Sequence, residues 1–211
     1  MSEEYLFGRP DESTDPFQLI HFLRILGRVL PGPHPPWDAL YWPTMIHLVL
    51  FVHRVDGLAQ GIYFLVRHRA KKDLLTEAMD KSFVWKTPPG VPKTFPLYLL
   101  VEADCRDAAR AVSCNQDIAA DGFFSLGMIA EFEGPIRHHG AWFYRNLFWE
   151  AGVIGQVLYL EAEAAGARST GIDCYFDDPV HEVLGLHGNR FQDLYHFTVG
   201  VPVDDPRLQT W

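Results

Sequence analysis

The chain has too few cysteines and too little positive charge for several large functional classes. Its three cysteines, Cys105, Cys114 and Cys174, lie scattered among 211 residues without a C-x-x-C spacing. An odd count in that pattern reads as a reducing compartment, with thiols serving as small core residues rather than staples. Lysine and arginine number 18 against 27 acidic residues, a formal net charge of −9. Binding along phosphates needs clustered Lys and Arg, so no nucleic-acid partner is expected. The densest positive run, "RHRAKK" (Arg67 to Lys72), reads as a solvated turn. Long hydrophobic runs are missing too. The most apolar one, "MIHLVLFV" (Met45 to Val52), halts at His53-Arg54 and is too short to cross a bilayer, so no membrane partner is expected. The acidic opening "MSEEYLFGRPDESTD" has no apolar h-region, and the protein reads as cytoplasmic.

Familiar catalytic signatures are equally sparse. Ten histidines are present, but none falls in a ligand-like spacing. His138 and His139 are adjacent and diverge on any regular element, His47 and His53 stand six apart, and His181, His187 and His196 have no H-x-x-x-H or H-x-H partner. A zinc site needs three or four converging ligands, so no metal is assigned. There is no G-x-S-x-G elbow, and the phosphate-loop fingerprints are absent. Glu131 with Glu133, and Glu161 with Glu163, stand two apart on stretches read as helical. Such pairs do not share a face and read as solvated edges.

What is present is a core. Hydrophobic residues make up 48% and aromatics 14% of the chain, enough for one packed domain. Residues 1–16 read as an N-terminal extension and 17–211 as the domain. "DPFQLIHFLRILGRVL" (Asp15 to Leu30) has near-helical spacing with Asp15 available as its cap, and "PGPHPP" stops it. Ile46 to His53 and Gly61 to Val66 read as strands around the turn at Asp56-Gly57. Leu74 to Met79 reads as a short helix and Pro96 to Ala103 as a buried strand. "NQDIAADGFFSLGMIAEFE" (Asn115 to Glu133) reads as one helix despite its two glycines. Ala141 to Gly166 reads as a long helix, apolar around most of its circumference and therefore expected to run through the core. Its small residues, among them Gly152 and Gly155, permit close packing against another helix. A backbone-rich loop is expected from Ala167 to Cys174, then a helix from Pro179 to Leu184 and a strand from Leu194 to Val203. The class is α+β, with a mainly antiparallel central sheet packed by long helices.

The order of these pieces carries a resemblance. "FYRNLFWEAGVIGQVLYLEAEAAGARSTGIDCYFDDPVHEVLGL…LYHFTVGVPVDDPR" resembles the C-terminal half of the FMN-dependent nitroreductase superfamily. "HLVLFVHRVDGLAQGIYFL" and "SCNQDIAADGFFSLGMIAEFE" are similar to its azoline (thiazole/oxazole) dehydrogenase-like branch, with Gln116 at a recurrent glutamine. The resemblance runs roughly from Phe17 to Arg207 and implies a nitroreductase-like fold.

That resemblance also implies a site. In the family, the loop after the core helix lies along the flavin ring and offers backbone N–H groups near the reactive N5. Carried over, these positions are Gly171, Ile172, Asp173 and Cys174, with the hydroxyls of Ser169 and Thr170 nearby. Preorganised backbone dipoles can tune a reduced flavin, and Gly171 would admit a flat ring without a Cβ clash. Arg207 falls where the family places a basic residue on the FMN phosphate, and Thr44 is the polar contact left before the first strand. The family's N-terminal Arg-rich segment has no counterpart in "MSEEYLFGRPDEST", which offers only Arg9. Where azoline dehydrogenases carry a Lys-Tyr pair, His138-His139 precede "GAWFYR", and either imidazole is the acid/base candidate.

The implied activity is that of an oxidoreductase passing hydride through flavin N5. NAD(P)H is its possible donor and a small molecule or peptide its substrate, in a homodimer or paired with a tandem domain. The alternative is a flavin-free domain of the same fold that serves as structural or dimerisation partner of an active copy.

Overall fold

The computed structural model describes residues 15–201. In chain order the elements are α1 (Leu19–Arg28), β1 (Ile46–Val52), β2 (Gly61–Leu65), α2 (Lys72–Ala78), β3 (Leu97–Glu102), α3 (Arg106–Val112), α4 (Ile118–Asp121), β4 (Phe124–Glu131), α5 (Glu133–His139), α6 (Tyr144–Ala164), β5 (Arg168–Ile172), α7 (Asp177–Leu184) and β6 (Phe191–Gly200). Six strands form one sheet in the order β3-β2-β1-β4-β6-β5, with every neighbouring pair antiparallel. The expected α+β class with a mainly antiparallel sheet is what the chain adopts. No helix among the described residues is long and apolar enough to cross a membrane.

Alternation along the strands divides the interior into two layers. Ile46, Leu48, Leu50 and Val52 of β1 face a cluster built with α1 and α6. Val49 and Phe51 face a second cluster built with α2, α3 and α7. Both faces of β1 and β4 are therefore covered. That explains why these strands read as continuous apolar runs rather than alternating ones.

Several expectations need correction. Asn115–Glu133 is not one helix: a single turn, α4, leads into β4 at the centre of the sheet. An unbroken apolar run does not separate a buried strand from a buried helix by its period. The glycine a helix would have had to tolerate, Gly127, is one the strand requires. A Cβ there would lie 3.1 Å from Val49 Cγ1 and 3.2 Å from His196 Nε2. Glu131 consequently sits on β4, nearly buried and 2.8 Å from Lys71 Nζ, rather than on a solvated helix edge. Asp15 does not cap α1. The N-cap position is Gln18, and the chain ahead of it is held by Phe17 N–H on Arg54 O (3.0 Å) and Asp56 N–H on Phe17 O (2.8 Å). The stretch read as a loop after α6 contains β5, an edge strand on β6.

The long helix is real, but it is not enclosed. One stripe of α6, through Leu147, Ala151, Ile154, Leu158 and Ala162, is buried against the sheet. The opposite stripe exposes Tyr144, Phe148, Trp149, Tyr159 and Leu160, and a Cβ added at Gly152 meets only open space.

"RHRAKK" is not simply a solvated turn, because Arg67 is wholly buried. Its guanidinium pairs with Glu150 of α6, and Arg67 Nη1 also donates to Ile46 O (2.9 Å) while Nε donates to Val29 O (2.7 Å). Glu150 in turn accepts the backbone N–H groups of Met45 (3.0 Å) and Ile46 (3.3 Å). The indole of Trp37 lies 4.8 Å from the guanidinium carbon. Removing one partner of such a pair strands a buried charge. Glu150→Gln is therefore expected to destabilise the fold by about 3–5 kcal/mol in urea unfolding. Combining it with Arg67→Met should lose less than the sum of the two single changes, since both remove the same interaction.

Candidate functional site

The residues singled out by sequence gather only in part. Gln116 and Cys174 do meet: the Gln116 side-chain amide donates to the Cys174 carbonyl at 3.2 Å. Cys114 and Cys174, expected as separate thiols, form a disulfide with their Cα atoms 5.7 Å apart. Their sequence separation of 60 hid the pairing. It arises because β5 pairs with β6 while α3 packs on α7, which brings the end of α3 against the turn after β5. The same turn is held by the Phe176 N–H, which donates to Val112 O at 2.8 Å. Asp173 and Cys174 thus lie on an exposed but firmly fastened turn between β5 and α7.

Ser169, Thr170, Gly171 and Ile172 lie on β5 itself. As an edge strand, β5 leaves its outer backbone row unpaired by sheet. The Gly171 N–H faces outward and donates to the Tyr159 hydroxyl (2.8 Å). A Cβ at Gly171 would enter the Tyr195 ring, 2.8 Å from Cζ, so the ring this glycine admits belongs to the chain itself. Ser169 Oγ is buried without a hydrogen-bond partner, and Ile172 packs into the second core layer. Thr44 precedes β1 and stands apart from this group, at the end of the sheet where β1 meets Ala130. His138 and His139 end α5 and are exposed, and His139 stacks on Phe143 with centroids 4.5 Å apart. Arg207 and Arg9 lie outside the described residues.

Sequence reasoning missed a buried polar cluster beneath the disulfide. His196 Nε2 donates to Asp193 Oδ2 (2.6 Å), and Ser113 Oγ lies 2.9 Å from His196 Nδ1. The Tyr175 ring stacks on the imidazole, centroids 4.9 Å apart. On a regular strand, residues three apart point to opposite faces. Here a register shift between β4 and β6 near Gly127 brings Asp193 and His196 to one side. Burial raises the Asp193 pKa, and the contact with His196 opposes that rise. Ser113, His196 and Asp193 are each at most 2% exposed, so Ser113 offers no nucleophile to an outside substrate.

A second Cys–His contact is also inert. Burial, then the Asp104 charge, pushes the Cys105 thiol up to about 11. The neighbouring His53, 3.8 Å from the sulfur through Nδ1, donates from Nε2 to Ala119 O at 2.9 Å. A protonated thiol beside a neutral imidazole is not an activated nucleophile.

With this geometry in view, solved structures give a clear answer on architecture. The fold is nitroreductase-like. A protein designated a nitroreductase from Anabaena variabilis superimposes with a TM-score of 0.68 at 20% identity, over 90% of this chain and 35% of that one. In the E. coli microcin synthetase McbBCD complex with truncated pro-MccB17 bound, a chain matches with a TM-score of 0.65 at 16% identity, over 97% of this chain and 71% of that one. A Ralstonia eutropha protein of the same designation gives 0.57 at 14% identity, covering 95% of this chain and 90% of that one. This chain therefore spans only about a third of the Anabaena protein's length. No protein-family model and no curated protein matches it.

Two of the buried imidazoles, His47 and His53, set an acid limit on the fold. Burial, followed by the Arg67 charge, lowers the pKa of His47 to about 3, and burial lowers that of His53 to about 4. A depressed folded-state value means the unfolded chain binds the extra proton. The associated stability is thus complete above about pH 6.5 and declines as pH falls towards those values. Urea unfolding at pH 5 should show a loss of about 2 kcal/mol per histidine relative to pH 7. His47→Leu should remove about half of that pH dependence.

Proposed function

We propose that this chain is a nitroreductase-type oxidoreductase domain. It holds FMN along β5 and the β5–α7 turn, in a site completed by a second nitroreductase-fold chain docked on the exposed stripe of α6. The observation that carries the reading is the fold likeness over nearly the whole chain combined with that stripe. A helix packed on one side and aromatic on the other is a surface suited to a partner.

The residues present suit the ring of FMN. Edge strand β5 leaves its outer backbone row without a strand partner, although its Gly171 N–H is held by Tyr159, Ser169 adds a buried hydroxyl with no partner, and the disulfide and Gln116 hold the adjoining turn in place. Arg207 would take the phosphate, since a guanidinium fork matches a phosphate dianion. Bound flavin supplies hydride chemistry with NAD(P)H as donor. This chain's part is to orient the ring and exclude water.

Thr44 and His138-His139 lie away from Gln116 and Cys174 within one chain, so they would meet the ring of the partner's site. His138 or His139 would then hold or move the substrate proton. A small molecule or a peptide would be the substrate, and the cytoplasm the location.

A second reading is favoured by one observation. The Gly171 N–H is already engaged by Tyr159, and the Tyr195 ring fills the space beside Gly171. A domain built in this way could serve without flavin, as the partner of an active copy.

Mixing purified protein with excess FMN, desalting, and recording the visible spectrum separates the two. About one retained flavin per chain supports the first reading, whereas a colourless protein supports the second. Gly152→Lys is expected to leave the circular dichroism unchanged, because that position faces open space, while abolishing association and flavin retention together.

A further inference from the structure

The Cys114–Cys174 disulfide lies beside a buried polar cluster. It joins the end of α3 to the exposed turn after β5, one residue from Ser113 of the Ser113–His196–Asp193 cluster. Ser113 and Cys114 are neighbours in sequence, as are Cys174 and Tyr175, and Tyr175 covers His196. One covalent bond therefore closes the turn and the cover of the buried cluster at once.

Three features make that bond suited to opening. Cys174 is an exposed residue, so the disulfide lies at the surface rather than in the core, where a thiolate would have to approach it. Cys114 and Asn115 both hold left-handed backbone, with φ of 54° and 59°. Two consecutive non-glycine residues in that region persist only where their surroundings enforce them, and the disulfide is part of that enforcement. The third cysteine cannot interfere. Cys105 is buried and its thiol is pushed up to about 11, so it neither attacks the disulfide nor resolves a mixed one. Once the bond is cut, the turn is held by non-covalent contacts alone. Among them are the Gln116 amide on Cys174 O, the Phe176 N–H on Val112 O, the Tyr175 stack, the packing of α3 on α7, and a β5 strand paired on one side only.

We infer that Cys114–Cys174 is a reversible clasp operated by dithiol reductants, whose opening releases the 173–176 turn and uncovers the Ser113–His196–Asp193 cluster. The chemistry is thiol–disulfide exchange. A thiolate of the dithiol attacks Cys174 Sγ, the Cys114–Cys174 sulfur bond breaks, and Cys114 leaves as a thiolate that takes up a proton. The second thiol of the reductant then attacks the mixed disulfide and releases Cys174. Two electrons pass to the protein, which gains two thiols, and the reductant ends as a disulfide. The inference is independent of flavin binding, since every group in it belongs to this chain.

The test uses the full chain purified without reductant, with and without dithiothreitol in the absence of denaturant. It combines differential alkylation with hydrogen exchange. In the untreated protein, Cys114 and Cys174 should resist alkylation as a disulfide. Dithiothreitol should render both alkylatable while Cys105 stays protected. Amide exchange across residues 112–116 and 173–176 should then accelerate at least tenfold, with circular dichroism unchanged, and reoxidation should reverse the effect. Cys174→Ser should show the fast exchange without any reductant. Free thiols at Cys114 and Cys174 in untreated protein would overturn the inference. So would reduction that requires denaturant, or exchange at 173–176 that does not change on reduction.

Discussion

The structure hangs on a buried charge pair. Arg67, just past the end of β2, is wholly buried and reaches α6 through Glu150, α1 through Val29 O and β1 through Ile46 O. Glu150 answers by accepting the N–H groups of Met45, just before β1, and of Ile46, its first residue. One ion pair thus ties the two helices of the first layer to the central strands and fixes where along the sheet α6 lies. The stripe that α6 exposes follows from that placement, because a helix fixed at Glu150 and buried through Ala151, Ile154 and Leu158 must turn Phe148, Gly152 and Tyr159 outward.

The opposite face of the sheet has its own fastening. There a register shift in β6 sets Asp193 and His196 side by side, Gly127 on β4 leaves room for them, and Ser113 reaches in from the end of α3. The disulfide closes the same corner from outside. Between these two polar anchors the interior is mostly apolar, although His47, His53, Asn146 and Thr198 are buried in it too, and two candidate surfaces, the β5–α7 turn and the α6 stripe, stay exposed.

Much of this architecture was legible in the residues. The β1–β2 hairpin, β3, α6, α7 and β6 follow from period, turn residues and length, and their order carried the resemblance to the nitroreductase fold. What escaped depended on three-dimensional neighbours. β4 looks like a helix because a central strand covered on both faces shows no alternation. Arg67 looks solvated because its partner lies 83 residues away. The disulfide and the His196 cluster were hidden because neither a 60-residue separation nor a strand bulge leaves a local mark. Among the described residues of the candidate site, Gln116 and Cys174 came together within one chain. Ser169 to Ile172 proved to be edge strand, and Thr44 and the two histidines sit elsewhere.

That division of the site is the reason to treat the α6 stripe as the decisive surface. If two nitroreductase-fold chains meet there, residues separated in one chain can face each other across the contact, and the edge of β5 gains a neighbour. The most direct measurement is sedimentation velocity of the purified protein with FMN, followed at the protein band and at the flavin's visible band together. The account requires flavin to sediment with the associated species, and its bound fraction to rise with protein concentration as the monomer disappears. Flavin travelling with the monomer, or with neither species, would contradict it.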